Sequence, residues 1–134
     1  MNQITIKANA KNLDFVFSKL DEVLNNYNPP MKFKLQLELV VEELFVNLCS
    51  YSYEDEGEVV IQYSVEENPL RIIIRFIDNG IPFNPLEKES PDLSLSADKR
   101  EIGGLGLTIV RKNVDELEYK YENNQNILTV TKIF

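Results

Sequence analysis

The chain has 134 residues with 14 basic and 22 acidic side chains, so its formal net charge is −8. An acidic protein lacks the basic surface that binds a phosphate backbone, which argues against direct binding of nucleic acid. A chain of this length buries roughly two-thirds of its unfolded surface when it folds. That area suffices for one core, and we expect residues 1–134 to form one domain.

The residue content excludes further classes of protein. Histidine is absent, which rules out imidazole general bases, histidine-ligated zinc and Ser-His-Asp triads within this chain. The single cysteine, Cys49, permits no internal disulfide and fits a reducing cytosol. No apolar run approaches the roughly 20 residues that span a bilayer, and the amino terminus does not have the form of a signal peptide. We therefore expect a cytoplasmic protein without membrane contact.

The first half of the chain predicts one strand and two helices. Residues 3–7 alternate between polar and apolar as a half-buried strand does, and Asn9 stands at the capping position before the first helix. Residues 25–30 end that helix, and a longer helix is expected over residues 31–50. The apolar stripes of these helices are Leu13, Val16, Phe17, Leu20 and Leu24, and then Phe33, Leu37, Val40, Val41, Leu44 and Leu48.

The second half predicts two hairpins separated by a loop and a helix. Strands at 59–65 and 70–77 are joined by Glu-Glu-Asn-Pro, which favours an antiparallel hairpin. Residues 84–101 are rich in Pro, Ser, Asp, Glu and Lys and predict a mobile loop. Strands at 118–122 and 127–133 predict a second hairpin across residues 123–126. The helix before it is marked by Leu107, Val110, Val114 and Leu117.

Helices clustered early and hairpins late predict an α+β layer sandwich with a mixed or antiparallel sheet.

The first segment with candidate chemistry lies on the long helix. Glu43 and Asn47 are four residues apart and therefore share a face. They lie beside the apolar stripe of the helix, and Leu39 and Val46 lie on their other side. A lone glutamate is usually a surface acid, but a carboxylate among apolar residues needs a partner. A metal-bound nucleotide would supply one, with the amide oxygen of Asn47 for Mg²⁺ and Glu43 as a base.

The second segment is Asp78-Asn-Gly80, which closes the most apolar strand. A turn is the ordinary function of Asp-Asn-Gly, and it explains Gly80. However, alternation along the strand places Asp78 on the same face as Ile72, Ile74 and Phe76. A buried carboxylate at this position suits recognition of an exocyclic amine such as that of adenine, and Gly80 lets the ring approach.

The third segment is Gly103-Gly-Leu-Gly106, at the start of the helix after the loop. Four of the five glycines of the chain fall in this segment and at Gly80. Such glycines expose backbone N–H groups to phosphate oxygens, and the helix amino terminus adds its dipole. A flexible hinge is the alternative, and the run matches neither GxxxxGK[ST] nor GxGxxG.

Together the three segments resemble the N, G1 and G2 boxes of the GHKL ATPase superfamily. The matching sequences are Glu43-Leu-Phe-Val-Asn47, Asp78-Asn-Gly80-Ile-Pro-Phe83 and Gly103-Gly-Leu-Gly106. The chain is most similar to the small bacterial anti-sigma factor serine/threonine kinases. The resemblance implies the Bergerat fold, in which helices cover one face of a mixed, mostly antiparallel sheet and residues 83–102 form a lid over ATP.

The resemblance also implies roles for the catalytic and phosphate-binding positions. Glu43 would be the general base for an acceptor serine, and Asn47 would bind Mg²⁺. Arg100 or Lys99 in the lid would reach the terminal phosphate. Backbone contacts to the phosphates would come from Gly103, Gly104, Leu105 and Gly106.

For the adenine pocket, the resemblance implies that Asp78 and Gly80 read the base. Ile81 and Phe83 would line the pocket walls, and Thr129 in the last strand would lie near adenine. One departure concerns the N box, which often reads NxxxHAY in the subgroup, whereas this chain has Asn47-Leu-Cys-Ser-Tyr51-Ser-Tyr53. The substituted histidine is not expected to carry out proton transfer, so ATP binding should survive its loss.

The function implied by the resemblance is transfer of the γ-phosphate of ATP to a serine of a STAS-domain anti-sigma antagonist. A sigma factor and a second copy of the chain are further candidate partners. A noncatalytic module that uses nucleotide to switch a protein partner is the alternative. The catalytic domain of a histidine kinase would share the boxes, but it needs a phosphoacceptor histidine that this chain lacks.

Overall fold

The computed structural model describes residues 1–51, 57–82, 84 and 104–134. The predicted lid, residues 83–102, therefore lies outside the described residues except for residue 84. Within the described ranges, no helix is long and apolar enough to cross a membrane. The elements are β1 (Asn2–Lys7), a 3-10 turn (Ala10–Asn12), α1 (Leu13–Leu24), α2 (Met31–Tyr51), β2 (Glu58–Glu66), β3 (Arg71–Asp78), α3 (Gly104–Asn113), β4 (Glu116–Glu122) and β5 (Gln125–Ile133).

The five strands form one sheet in the order β1-β2-β3-β5-β4. Every pairing among the described strands is antiparallel, so the predicted α+β class is confirmed with a sheet of the antiparallel kind. The turn between β4 and β5 consists of Asn123 and Asn124, whose φ values of 54° and 61° are left-handed. Asparagine tolerates this conformation better than most residues, and paired left-handed residues match the twist of a tight hairpin.

The core lies between the helices and one face of the sheet. Alternate residues of β2 and β3 are buried, and they pack in a single cluster with α1, α2 and Val110 of α3. The predicted two-layer arrangement, with helices on one face, follows from this cluster. The largest fully buried side chains of the cluster are Phe45, Phe76, Leu24, Ile61, Ile72 and Ile74.

Two contacts fix the direction of α2 over the sheet. The rings of Phe33, in the first turn of α2, and Phe134, just after β5, have centroids 4.3 Å apart. Lys132 near the end of β5 donates from Nζ to Oε1 of Gln36 at 3.1 Å. The start of α2 is therefore held at the carboxyl end of β5, and the helix runs from there toward the end of the sheet where β5 begins and β3 finishes.

The third helix is shorter than the apolar spacing predicts. It ends at Asn113, and Leu117 lies in β4, where it pairs with Val130. Asp115 causes the change of direction, because its backbone N–H donates to the carbonyl of Thr131 at 2.9 Å and its Oδ2 accepts from the N–H of Ile133 at 2.6 Å. The extension of this helix to Leu117 was wrong. An apolar residue three positions after Val114 fits a helix, but it also fits an inward position of a strand.

Candidate functional site

Asp78 ends β3 on the core face, as the alternation of the strand predicted. Its side chain is only 4% exposed, and Ile72, Ile74 and Phe76 before it are buried on the same face. The carboxylate atom Oδ1 accepts two hydrogen bonds, from the backbone N–H of Gly80 at 2.9 Å and from Nδ2 of Asn126 at 3.0 Å. Both bonds converge on one oxygen, which fixes the orientation of the carboxyl group.

The second carboxylate oxygen of Asp78 is the atom left for a ligand. Within the described part of the chain, no hydrogen bond reaches Oδ2, and no buried side-chain polar atom lacks a partner, so Oδ2 retains access to solvent. Burial raises the pKa of Asp78 above its ordinary value of 3.8, and the hydrogen bonds from Asn126 and Gly80 oppose that rise. An accessible acceptor in an otherwise buried place suits an amine donor.

Glu43 and Asn47 lie half-buried on one flank of α2. No hydrogen bond from a described residue reaches either side chain. Burial raises the pKa of Glu43 above 4.5, and the neighbouring charge of Glu42 adds to the rise. A carboxylate with a raised pKa and no hydrogen-bond partner among the described residues is suited to accept a proton from a bound group.

The helix α3 begins at Gly104, inside the glycine segment. Its last residue, Asn113, accepts a hydrogen bond from Nζ of Lys132 at 2.5 Å, which places the end of α3 beside Gln36 of α2. Of the described helix pairs, α2 and α3 have the most extensive contact. Because α3 is about 15 Å long, its first turn lies well away from the contact with Lys132.

The direction of α2 relates two of the three segments to each other. The part of α2 from Gln36 to Asn47 is about 16 Å long, and the part of β5 from Lys132 back to Asn126 is about 20 Å long. Both start at the same place, since Lys132 contacts Gln36, and both lead to the end of the sheet where Asn126 pairs with Asp78. The helix α2 is therefore directed toward the end of β3 that carries Asp78.

Thr129 is not brought to this end of the sheet. In the β3–β5 register it pairs with Arg75, whereas Asp78 pairs with Asn126, a separation of about 10 Å along the strand. Its neighbours Leu128 and Val130 are buried in the core, so Thr129 lies on the opposite face, where its Oγ1 accepts from Nε of Arg75 at 3.4 Å. The side chain that reaches Asp78 from β5 is Asn126.

Of the other predicted site residues, Ile81 is at the Asp78 end and is 67% exposed. Leu105 and Gly106 are in the first turn of α3 with Gly104. Phe83, Arg100 and Gly103 lie outside the described residues.

The sequence reasoning missed Asn126, which it assigned to a turn. Asn126 is 4% exposed and lies in β5, because the hairpin turn contains only Asn123 and Asn124. The signal that could have found it is the Asn-Asn pair itself, since a two-residue turn with left-handed residues starts the return strand at Gln125. Asn126 then takes an inward position two residues before the apolar Leu128.

Comparison with known sequences identifies the family and its bacterial members. Residues 6–132 match the histidine kinase-like ATPase domain. The chain is 26% identical over 100 residues to the serine/threonine-protein kinase BtrW of Bordetella bronchiseptica, which covers 75% of this chain and 70% of BtrW. It is 27% identical over 99 residues to the serine-protein kinase RsbW of Listeria monocytogenes, with 69% of this chain and 61% of RsbW covered.

Known structures share the fold. The crystal structure of the RsbU and RsbW domains of a Mycobacterium tuberculosis protein superposes with a TM-score of 0.66 at 14% identity, covering 99% of this chain and 32% of that one. A histidine kinase domain from Erythrobacter litoralis gives a TM-score of 0.55 at 12% identity, covering 92% of this chain and 60% of that one. The match over residues 6–132 shows that the chain belongs to the histidine kinase-like ATPase domain family.

Proposed function

We propose that the chain is an ATP-dependent protein-serine/threonine kinase of the anti-sigma regulatory type. The proposal is supported by the course of α2, whose flank with Glu43 and Asn47 is directed toward the end of the sheet that carries the Asp78 turn. We propose that the first turn of α3 joins these two segments. Each segment supplies a group that one part of a nucleotide requires. The Asp78 turn supplies a hydrogen-bond acceptor for adenine, and α2 supplies oxygen ligands and a proton acceptor near the phosphates. The helix α3 supplies an amino terminus that favours the negative charge of the phosphates.

Adenine recognition is assigned to the Asp78 turn. Oδ2 of Asp78 would accept a hydrogen bond from the exocyclic amine, while Oδ1 is held by Gly80 and Asn126. The exposed side chain of Ile81 would cover one edge of the ring, and Phe83 would extend that wall. Gly80 leaves room for the ring because it has no Cβ.

Phosphate and magnesium binding are assigned to α2 and α3. Mg²⁺ prefers oxygen ligands and commonly takes one or two from the protein and the rest from phosphates and water. The half-buried amide of Asn47, which receives no hydrogen bond from the described residues, fits that demand. When bound, the ion would neutralise phosphate charge. The backbone of Gly103, Gly104, Leu105 and Gly106 would meet the phosphates, and Arg100 would reach the terminal one.

Proton transfer is assigned to Glu43. A serine hydroxyl is a poor nucleophile, so the acceptor needs a base within hydrogen-bond reach. Transfer requires the ionised form of Glu43, whose pKa is raised above 4.5 by burial and by the charge of Glu42. In the transferring complex its carboxylate would take the hydroxyl proton as the serine oxygen bonds to the γ-phosphorus, while the bond between that phosphorus and the bridging oxygen breaks and ADP leaves with the electron pair.

The protein partners are proposed on the likeness to bacterial serine kinases. BtrW is named a serine/threonine-protein kinase and RsbW a serine-protein kinase, and the proposed substrate is a serine of a STAS-domain antagonist. A sigma factor and a second copy of the chain are proposed as further partners, and the cytoplasm as the location. The chain spans 59% of the length of RsbW from Bacillus thuringiensis, at 28% identity over 97 residues and 69% of this chain, so these assignments concern what the shared domain does.

Two measurements test the proposal. Calorimetric titration with Mg-ADP should show binding by the wild type and by Glu43→Gln, since Glu43 contributes to transfer and not to binding. Transfer of labelled phosphate from ATP to a STAS-domain protein encoded beside the kinase should fall roughly 10²- to 10⁴-fold in Glu43→Gln. Glu38→Gln, on the same helix, is the control. Absence of Mg-ADP binding would overturn the proposal. Binding without transfer would favour the noncatalytic regulatory module.

A further inference from the structure

Asn126 connects β5 to the turn that follows β3, residues 78–81. Its Nδ2 donates to Oδ1 of Asp78 at 3.0 Å, to the carbonyl of Ile81 at 2.9 Å and, more weakly, to the carbonyl of Gly80 at 3.4 Å. All three acceptors belong to residues 78–81, whereas Asn126 comes from β5, 48 residues away along the chain from Asp78. The turn is thus held from outside and does not depend on its local hydrogen bond alone.

The amide of Asn126 is oriented from its other side by Tyr119. The hydroxyl of Tyr119, on β4, donates to Oδ1 of Asn126, and the tyrosine ring packs against the core. Since the carbonyl oxygen of the amide faces Tyr119, its NH₂ group must face the three acceptors of the turn. A relay of hydrogen bonds therefore runs from Tyr119 through Asn126 to Asp78.

The relay determines which oxygen of Asp78 faces a ligand. Gly80 and Asn126 both donate to Oδ1, so rotation of the carboxyl group would break two hydrogen bonds at a site that is 4% exposed. Oδ2 is thereby kept as an acceptor with a fixed direction. A hydrogen bond from a buried donor to a charged acceptor contributes more than one between neutral groups, which gives the relay enough strength to hold this geometry.

We propose that Asn126, oriented by Tyr119, is a positioning residue that sets the specificity of the site for a purine with an exocyclic amino group. The inference rests on the proposed nucleotide function. It assigns discrimination of the base to three residues from three strands, β3, β4 and β5, of which only Asp78 would touch the ligand. A purely structural role for the relay would lower the affinity for every nucleotide equally.

The test compares two ligands on the full chain by calorimetry, Mg-ADP and the magnesium complex of purine riboside diphosphate, which lacks the amino group. The wild type should bind Mg-ADP roughly 10-fold or more tightly than the analogue, since a hydrogen bond to a charged group is lost. In Asn126→Ala this ratio should fall to near one, mainly through weaker binding of Mg-ADP. Tyr119→Phe should lower the ratio several-fold, and adding it to Asn126→Ala should change nothing further.

Tyr121→Phe is the matched control, because Tyr121 is on the same strand but is exposed, and its ratio should equal that of the wild type. If Asn126→Ala does not fold, Tyr119→Phe decides, since it removes only a hydroxyl. A wild-type ratio near one, or a ratio unchanged in the folded relay variants, overturns the inference while leaving nucleotide binding intact. Absence of Mg-ADP binding by the wild type overturns the proposed function itself and the inference with it.

Discussion

The ammonium group of Lys132 lies 2.5 Å from the carbonyl oxygen of Asn113, the last residue of α3. Lys132 is 7% exposed, and its Nζ also donates to Gln36 of α2 and lies 5.6 Å from the ring centroid of Phe33. A cation at the carboxyl end of a helix interacts favourably with the helix dipole. One buried lysine therefore joins β5 to both helices of the candidate site, at the end opposite the glycine segment.

The first prediction concerns nucleotide affinity in Lys132→Met. The substitution keeps an apolar stem but removes the donor to Asn113 and Gln36, so α3 loses its anchor on α2. We expect Mg-ADP binding to weaken by about 1 kcal/mol, roughly fivefold in Kd, because the first turn of α3, which we propose binds the phosphates, is less well held. Calorimetry measures this change, with Lys120→Met as the control, since Lys120 is on an exposed edge strand. Equal affinities of the two variants would contradict the anchoring role.

The second prediction concerns the pH dependence of stability in the same variant. Burial lowers the pKa of Lys132 below 10.5, and Asp115 partly opposes this whereas Lys32 adds to it. The unfolded state therefore binds more protons than the folded state as the pH approaches 10.5. In that range the contribution of Lys132 to the wild-type free energy of unfolding increases with pH. Lys132→Met lacks that contribution. Urea unfolding at pH 8 and pH 10 should show a wild-type advantage that grows with pH, and parallel curves would contradict it.

The burial of Asp78 could be predicted from the sequence because a strand alternates strictly. Ile72, Ile74 and Phe76 fix the inward face, and the carboxylate follows in register. Helical spacing likewise predicts that Glu43 and Asn47 share one flank of α2, because residues four apart lie on the same face.

The relation between these segments could not be predicted from local patterns. It depends on Lys132 and Phe134 reaching Gln36 and Phe33 across almost the whole chain, and such contacts leave no periodic signal. Thr129 illustrates the limit, because a shift of three residues along a strand changes both the position and the face of a side chain. The family resemblance implies a threonine near adenine, whereas the strand register pairs Asp78 with Asn126.

The third prediction concerns Asp78→Asn. The amide oxygen can still accept from Gly80 and Asn126, but an NH₂ group replaces the acceptor Oδ2. We expect the affinity for Mg-ADP to fall roughly 10- to 100-fold, since a hydrogen bond to a charged acceptor becomes a clash between two donors. Affinity for the inosine diphosphate complex should fall less, because its keto oxygen accepts from the new NH₂ group. A uniform loss for both nucleotides in calorimetry would contradict base reading by Asp78.

The same variant should be more stable than the wild type without nucleotide. Burial raises the folded-state pKa of Asp78 above 3.8 despite the bonds from Asn126 and Gly80. The folded state therefore binds more protons just above pH 3.8, and the wild-type free energy of unfolding decreases as the pH rises through that window. The neutral side chain avoids this cost. Urea unfolding should show an advantage of Asp78→Asn at pH 7 that shrinks toward pH 4.

The fourth prediction separates Thr129 from Asn126. Thr129→Val removes the hydroxyl that accepts from Arg75 on the outer face but leaves the Asp78 end unchanged. We expect the Kd for Mg-ADP to stay within about twofold of the wild type, as for a surface substitution. Asn126→Ala measured in parallel should show the larger loss. A comparable loss in Thr129→Val would mean that the base contacts the outer face of the sheet.

The fifth prediction concerns Glu42, which is exposed on α2 beside Glu43. Burial is the larger cause of the raised pKa of Glu43, and repulsion by the Glu42 carboxylate is the second. Glu42→Gln removes the repulsion, so the pKa of Glu43 should fall. If Glu43 is the base, the acidic limb of the pH profile of phosphate transfer should move to lower pH by the same amount, because transfer requires the ionised form. Carbon-detected NMR titration of the carboxyl groups measures the pKa without any need for activity.

Glu38→Gln removes a charge one turn earlier on the same helix and should leave both quantities in place. Equal shifts in the two variants would mean that the general charge of the helix, and not the neighbour of Glu43, sets its ionisation.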